Sequence, residues 1–253
     1  MRYEGFTNCF SDERLDKRCS IISRDLFSKG VHSIRQLCNS SSAAKGFYRF
    51  LQNERTDEQR LISNMAERCS ATCKGKTVLC IQDSSEINMY NHKNRLKKDD
   101  SLGTTNAVEG GLGYLLHPSL VVDAQSCMPY GFSDIKIWNR PAEKITKFER
   151  KYNSLPIEDK ESYKWIEVSN KTKEVLSEAA SVIIIQDREG DIYEQFASVP
   201  DEKTDLLIRA RTNRILKDGC KLFSTFGQQA APCFYAITIE ADKRKKRRKG
   251  KQK

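Results

Sequence analysis

Long apolar runs are missing from this 253-residue sequence. No window approaches the roughly 18 consecutive apolar residues of a membrane-crossing helix. The opening MRYEGFTNCFSDER places acids where a secretion signal needs a hydrophobic stretch. Histidine is scarce, with His32, His92 and His117 far apart in the chain. The nine cysteines are an odd number at irregular spacings and form no CxxC; Cys69 and Cys73 are the nearest pair. Neither a structural zinc site nor a disulfide framework fits that pattern. Reduced thiols in a reducing compartment are expected. These absences point to a soluble cytoplasmic chain with no membrane partner.

What is present is basic charge, and its distribution matters more than its size. The formal charge is +10, but the last twelve residues, DKRKKRRKGKQK, hold nine Lys or Arg against one Asp. The remainder carries 35 bases and 33 acids, a net of only +2. A basic run of this kind is either a solvated tail or a polyanion contact that works by counterion release. The 38% hydrophobic content sits in periodic clusters, which excludes wholesale disorder.

Residues 9–70 read as helical. Leu15, Ile22 and Leu26, with Cys19 between them, follow helical spacing, and Gly30 is a stop signal. SAAKGFYRFLQN carries Phe47, Phe50 and Leu51, and Thr56 with Gln59 three residues later forms a capping box ahead of Leu61, Met65 and Cys69. The pattern changes at Gly75. TVLCIQD and SVIIIQD are short apolar runs suited to strands buried on both faces. GLGYLLHPSLVVDA and CMPYGFSDIKIW read as two strands with turns at Pro118 and near Gln125, and residues 139–160 as an exposed loop with a partial helix. Residues 161–180 read as a helix with Trp165, Val168, Val175, Leu176 and Ala179 on one side; DIYEQFASV is a further helix, and DLLIRART and FYAITIE are further strands. The fold class expected is α/β: a mixed sheet with flanking helices, preceded by a small all-helical region.

The most informative feature is a coincidence of endings. TVLCIQD stops at Asp83 and SVIIIQD stops at Asp187. If the two strands are parallel neighbours, both carboxylates emerge at one carboxyl edge, where α/β sheets place their chemistry. Two adjacent carboxylates repel unless a cation lies between them. Magnesium suits the role, because it takes oxygen ligands from one or two carboxylates and completes its shell with water and phosphate. In phosphodiester chemistry such an ion activates a water or a 3′-hydroxyl. The competing reading is that each Asp begins a turn or caps the next helix, which applies above all to Asp187 in DREGD.

Several of these segments, in this order, resemble the insertion-sequence-four family of DDE transposases, the group that includes the transposon-five enzyme. SDERLDKR is similar to the family's N-terminal Asp-x-Arg-Leu-x-x-Arg element, and SIRQLCNSSSAAKGFYRFLQNERT to the helix pair that follows. IQDSS and IIIQDREGDIYE resemble the segments bearing its first two catalytic aspartates. SLGTTNAVEGGLGYLLHPSLVVD, WNRP and LLIRARTNR resemble its remaining core strands. The resemblance implies a ribonuclease H-like core, with residues 1–74 as a helical domain binding transposon ends, 75–214 as the catalytic core, and 215–253 as the start of a β-rich insertion with a basic tail. It assigns the catalytic, metal-binding carboxylates to Asp83 and Asp187, with Mg2+ or Mn2+ as cofactor. It puts Arg209, Arg211 and Arg214 near DNA, and Arg14 and Arg18 either on phosphate or in structural salt bridges. Its partners would be double-stranded DNA, as terminal inverted repeats and target, and a second copy of the chain, in the nucleoid-associated cytoplasm.

The family's third acid lies in Tyr-x2-Arg-x3-Glu-x6-Lys, and no tyrosine here has Arg three residues on and Glu four further. The expectation is therefore a C-terminally truncated transposase with two of three acids and without the family's dimerisation region. The alternatives are a non-catalytic DNA-binding module or inhibitor, and a nuclease recruiting Asp123 or Glu189 as its third acid. Lys93, Arg95, Lys97 and Lys98 read as a solvated loop or a substrate clamp, and Trp138 and Trp165 as core or as base-stacking platforms.

Overall fold

The computed structural model describes residues 5–30, 33–92, 94–96, 102–105, 111–140 and 154–228. The chain forms two compact units, residues 1–211 and 212–253. The first begins with helices. In α1 (Glu13–Lys29) Asp12 is the N-cap and accepts the Arg14 N–H at 2.9 Å, while Glu13 and Asp16 complement the positive end of the helix dipole. Gly30 ends α1 in a left-handed conformation at φ 58°, as its sequence position suggests. After the short α2 (Ile34–Leu37), Ser40 caps α3 (Ser41–Leu51) by accepting the Ala43 N–H at 3.2 Å.

α4 (Glu58–Cys73) opens differently from expectation. Its N-cap is Asp57, which accepts the Gln59 N–H at 2.8 Å, and not Thr56. A carboxylate meets the positive helix end more strongly than a hydroxyl does, so the cap moves one residue along. Around α1, α3 and α4, Cys9, Phe10, Leu15, Cys19 and Phe50 form a small core, with Phe10 edge-on to Phe50 at 5.7 Å. Leu26, expected on the apolar stripe, is exposed.

Seven strands make one mixed sheet: β1 (Thr77–Gln82), β2 (Ser85–Asn88), β3 (Gly103–Thr105), β4 (Gly111–Asp123), β5 (Pro129–Trp138), β6 (Ser181–Gln186) and β7 (Thr204–Ile208). β1 is antiparallel to β4 and parallel to β6, and β7 is parallel to β6. β4 also pairs with β2, β3 and β5. With α5 (Tyr163–Val175) and α6 (Tyr193–Ser198) this is the expected mixed α/β arrangement of a sheet with flanking helices behind a helical N-terminal region.

The turn expected at Pro118 is absent. β4 runs through it, and Pro118 pairs with Ile135 of β5. β1 and β2 share one register along β4, with Gln82 opposite Ser119 and Ser85 opposite Leu116. The gap between them, Asp83–Ser84, therefore falls opposite Pro118 and His117. Proline has no N–H to give a ladder, and a strand interruption is tolerated there.

The sheet is buried on one face, where the sequence suggested two. Val78, Cys80, Val121, Val182 and Ile184 pack with Cys69 and Cys73 of α4 and with Ile166 and Leu176 from the α5 region. Burial alternates along β1 and β6 accordingly. On the opposite face Leu120, Ile81, Ile185 and Leu207 stand side by side across four strands, and Ile81 and Leu207 are exposed. Apolar content alone does not reveal which side of a strand is covered. Trp165 belongs to the interior, at 1% exposure.

In the second unit, α7 (Leu222–Gln228) starts where the Leu222 N–H meets the Arg214 carbonyl at 2.9 Å. The strand expected in FYAITIE, most of the 139–160 loop, and Lys93, Lys97 and Lys98 lie outside the described residues. No helix among the described residues is long and apolar enough to cross a membrane.

Phe50 is a buried ring packed edge-on against Phe10 in the N-terminal core, so Phe50→Ala is expected to cost about 3–5 kcal/mol of stability, read as a lowered urea midpoint.

Candidate active site

The parallel pairing of β1 with β6 ends at Gln82 opposite Gln186, and that of β6 with β7 at Gln186 opposite Ile208. Asp83, Asp187 and Arg209 are therefore the first residues beyond three adjacent strand ends. Parallel neighbours lie about 4.8 Å apart, so the two aspartates follow adjacent strand ends. Both are exposed. Asp83 accepts the Ser84 N–H at 2.7 Å, and Asp187 accepts the Glu189 N–H at 2.7 Å as the N-cap of the turn Arg188–Gly190. The capping role weighed for Asp187 is thus real. It uses one oxygen, and among the described residues neither Oδ2 has a hydrogen-bond partner.

Beneath this edge the core is polar. Gln186 Nε2 donates to Gln82 Oε1 at 2.8 Å and to Ser169 Oγ at 3.2 Å. Gln195 Nε2 reaches the same Ser169 Oγ at 2.9 Å. All four side chains are buried. Gly190 closes over them; a Cβ there would lie 2.3 Å from Gln186 Oε1 and 2.9 Å from Gln186 Cβ. One residue on from Asp83, Ser84 Oγ meets His117 Nδ1 at 2.9 Å, and the His117 ring stands edge-on to Trp165 at 4.4 Å. His117 is wholly buried, and desolvation, aided by the charges of Lys164 and Lys136, lowers its pKa from 6.5 to about 3.

Cations flank the carboxylates. Arg140 holds Glu161 with two bonds, 2.8 Å to Oε2 and 2.6 Å to Oε1, and lies 3.9 Å from Glu86. That pairing raises the Arg140 pKa, burial opposes the rise, and Glu189 adds to it. Lys164, on the first turn of α5, is nearly buried against Trp138 and Trp165. Burial lowers its pKa, and the carboxylates of Glu161, Glu189 and Asp83 resist that shift. The sequence singled out neither cation. Arg140 acts through Glu161 and Glu86, and Lys164 in part through Trp138, all distant in the chain, and no spacing rule joins them.

The remaining candidates scatter. Asp123 is opposite Val78, at the far end of β1, and its carboxylate binds Ser126 and Tyr130 in the β4–β5 turn. It is not a third ligand at this edge. Glu189 is at the edge, two residues after Asp187. Arg211 is tied there by its N–H to Asp191 at 2.7 Å, whereas Arg214 belongs to the second unit. Arg14 pairs with its own cap Asp12 at 3.2 Å and is otherwise exposed. Arg18 lies over Phe47 at 5.9 Å, in space left by Gly46. The exposed face of α3 carries Lys45, Tyr48 and Arg49, which composition did not flag.

No group of three or more His, Cys, Asp or Glu among the described residues is arranged to hold a metal. Two carboxylates side by side, with oxygen donors only, do suit an ion such as magnesium that takes its other ligands from water and phosphate.

Residues 6–56 match the family model described as transposase DNA-binding. No curated protein matches the chain. Among solved structures, a piggyBac transposase synaptic complex with hairpin DNA is similar at 11% identity and TM-score 0.38, over 77% of this chain and 40% of that one. A Mos1 transposase paired-end complex with the left transposon end is similar at 13% identity and TM-score 0.28, over 90% and 67%. The chain thus spans about two fifths of the piggyBac protein's length.

Two outcomes follow from the buried support. Gly190→Ala is expected to destabilise the chain by about 1–3 kcal/mol, because a Cβ must displace Gln186; denaturant unfolding reads this. His117 gives a pH signature. The unfolded chain takes a proton near 6.5 that the folded chain refuses down to about 3. Its contribution to stability is complete above pH 6.5 and is lost as pH falls through that interval, at up to about 1.4 kcal/mol per pH unit. Urea midpoints between pH 6.5 and 4.5 test this, and the slope is expected to flatten in His117→Gln.

Proposed function

We propose that this chain is a transposase-class protein that binds DNA through its helical N-terminal region and carries out phosphodiester chemistry at the carboxyl edge of its sheet. The observation that carries the reading is the Gln82–Gln186 register, which brings Asp83 and Asp187 together, in a chain whose residues 6–56 match a transposase DNA-binding model. Asp83 and Asp187 would hold Mg2+ or Mn2+, which when bound activates the attacking hydroxyl and stabilises the leaving oxygen. The protein's own residues do the positioning. The glutamine network fixes the two aspartates in one geometry, and Ser84, bonded to His117, fixes the backbone after Asp83. The reaction class is attack on a DNA phosphorus by water, which breaks the P–O3′ bond and frees a 3′-hydroxyl. That hydroxyl then attacks a target phosphodiester, forming one P–O bond as another breaks.

In this reading residues 1–74 grip terminal inverted repeats, with Arg14 and the exposed Lys45 and Arg49 of α3 as phosphate contacts and Arg18 supporting them from its place over Phe47. Residues 75–214 form the DDE-type catalytic core of an insertion-sequence-four-like enzyme, in which Arg209, Arg211 and Arg214 meet DNA. Residues 215–253 add a basic, polyanion-binding segment. The working form is a homodimer on nucleoid DNA. The match of residues 6–56 to a transposase DNA-binding model, taken alone, supports a second reading, a DNA-binding protein without strand cleavage.

A nicking assay on supercoiled plasmid with magnesium, manganese or a chelator separates the two. The first reading expects metal-dependent nicking that falls at least about a hundredfold in Asp83→Asn and Asp187→Asn, with DNA affinity by fluorescence anisotropy unchanged. Wild-type binding without any nicking selects the second, and absence of DNA binding overturns both.

A further inference from the structure

Lys164 presents an unusual balance of charge and solvent. The residue is 7% exposed, yet no hydrogen-bond acceptor lies within bonding distance of its ammonium among the described residues. Its nearest carboxylate oxygen, Glu161 Oε1, is 3.9 Å away and already engaged by Arg140 at 2.6 Å. A separation of 3.9 Å is too long for a hydrogen bond. What holds the ammonium instead is a pair of indole rings, with Trp138 at 5.2 Å and Trp165 at 5.8 Å. A largely buried ammonium whose nearest carboxylate is beyond hydrogen-bond distance is costly to maintain, and cation–π contact offsets only about 1–2 kcal/mol of that cost.

The slot opens on the proposed catalytic edge. Trp138 is opposite Leu115, and Leu115 is opposite Glu86, three residues past Asp83 on the same strand line. Asp83 and Glu189 act on Lys164 electrostatically. A negatively charged strand approaching Asp83 and Asp187 meets two carboxylates, and it needs a fixed positive group beside them.

We propose that Lys164, in its two-tryptophan slot, is the phosphate anchor of this edge: it accepts a backbone phosphate of the nucleic-acid strand next to the phosphodiester presented to Asp83 and Asp187. Bonds to phosphate oxygens would satisfy the donors that the protein leaves unmatched, and the rigid indoles set where that phosphate sits. The reading rests on the proposed function for the identity of the strand. Phosphate binding itself stands independently of it.

The chain provides its own reporter, because Trp138 and Trp165 are its two tryptophans. The experiment is a tryptophan-emission titration of the full chain with inorganic pyrophosphate, with sodium chloride of equal ionic strength as control. Wild type is expected to give a saturable emission change that chloride does not produce. K164M, which keeps the packing and removes the charge, should weaken the apparent affinity at least about tenfold, and K164R should restore most of it. An identical titration in folded K164M overturns the proposal, as does a wild-type chain whose emission is indifferent to pyrophosphate. The wild-type arm decides alone if K164M does not fold. Pyrophosphate that binds only the basic tail leaves the emission unchanged, and so counts against the anchor. Loss of plasmid nicking with a retained emission change defeats the enzymatic reading and leaves the anchor in place.

Discussion

The bond from Gln186 Nε2 to Gln82 Oε1 is made in the interior, between the last paired residues of two parallel strands. Polar side chains in such a place are held by the bonds they make to one another; Ser169 and Gln195 extend this set, while Gln82 Nε2, Gln186 Oε1 and Gln195 Oε1 find no partner among the described residues. The set has a geometric consequence. A slip of one residue between β1 and β6 would turn one of the two glutamines to the other face and break the bond between them. The register is pinned by buried hydrogen bonds as well as by the backbone ladder, and the two aspartates that follow inherit that precision.

The same architecture sorts charge by depth. The network below the edge is neutral, His117 included, because burial denies it a proton. Carboxylates stand at the surface of the edge, and the two cations between those layers are held differently. Arg140 is matched to Glu161 by a planar fork, the geometry guanidinium groups favour. Lys164 has no such match and rests on aromatic faces. Arg140 is thus pinned by its carboxylate, although its Nη1 is buried without a hydrogen-bond partner, whereas Lys164 has its nearest carboxylate oxygen 3.9 Å away. This difference, more than the count of charges, makes the edge suited to an anionic ligand.

Much of this was legible in the sequence, and for identifiable reasons. Matching Gln-Asp endings on two apolar runs signal two strands stopping together, and Gly30 ends α1 because only a left-handed residue closes that turn cheaply. Other features depend on partners distant in the chain. Pro118 reads as a turn in isolation, yet it sits within β4 because its neighbours there tolerate a missing donor. Thr56 and Asp57 are both plausible caps, and the stronger electrostatic partner wins. One-sided burial of the sheet depends on where α4 and α5 pack, which no strand pattern encodes. Lys164 carries no local signal at all; its significance arises when β5 and α5 bring two indoles to the same place.

The closeness of Gly190 to Gln186 reaches past this one chain. The two positions share a single pocket of space, so neither evolves freely. Among homologues, a long side chain at position 186 should coincide with glycine at 190, and a bulkier residue at 190 with a shortened one at 186. Such paired drift would be the historical trace of a steric constraint, visible in an alignment without any coordinates.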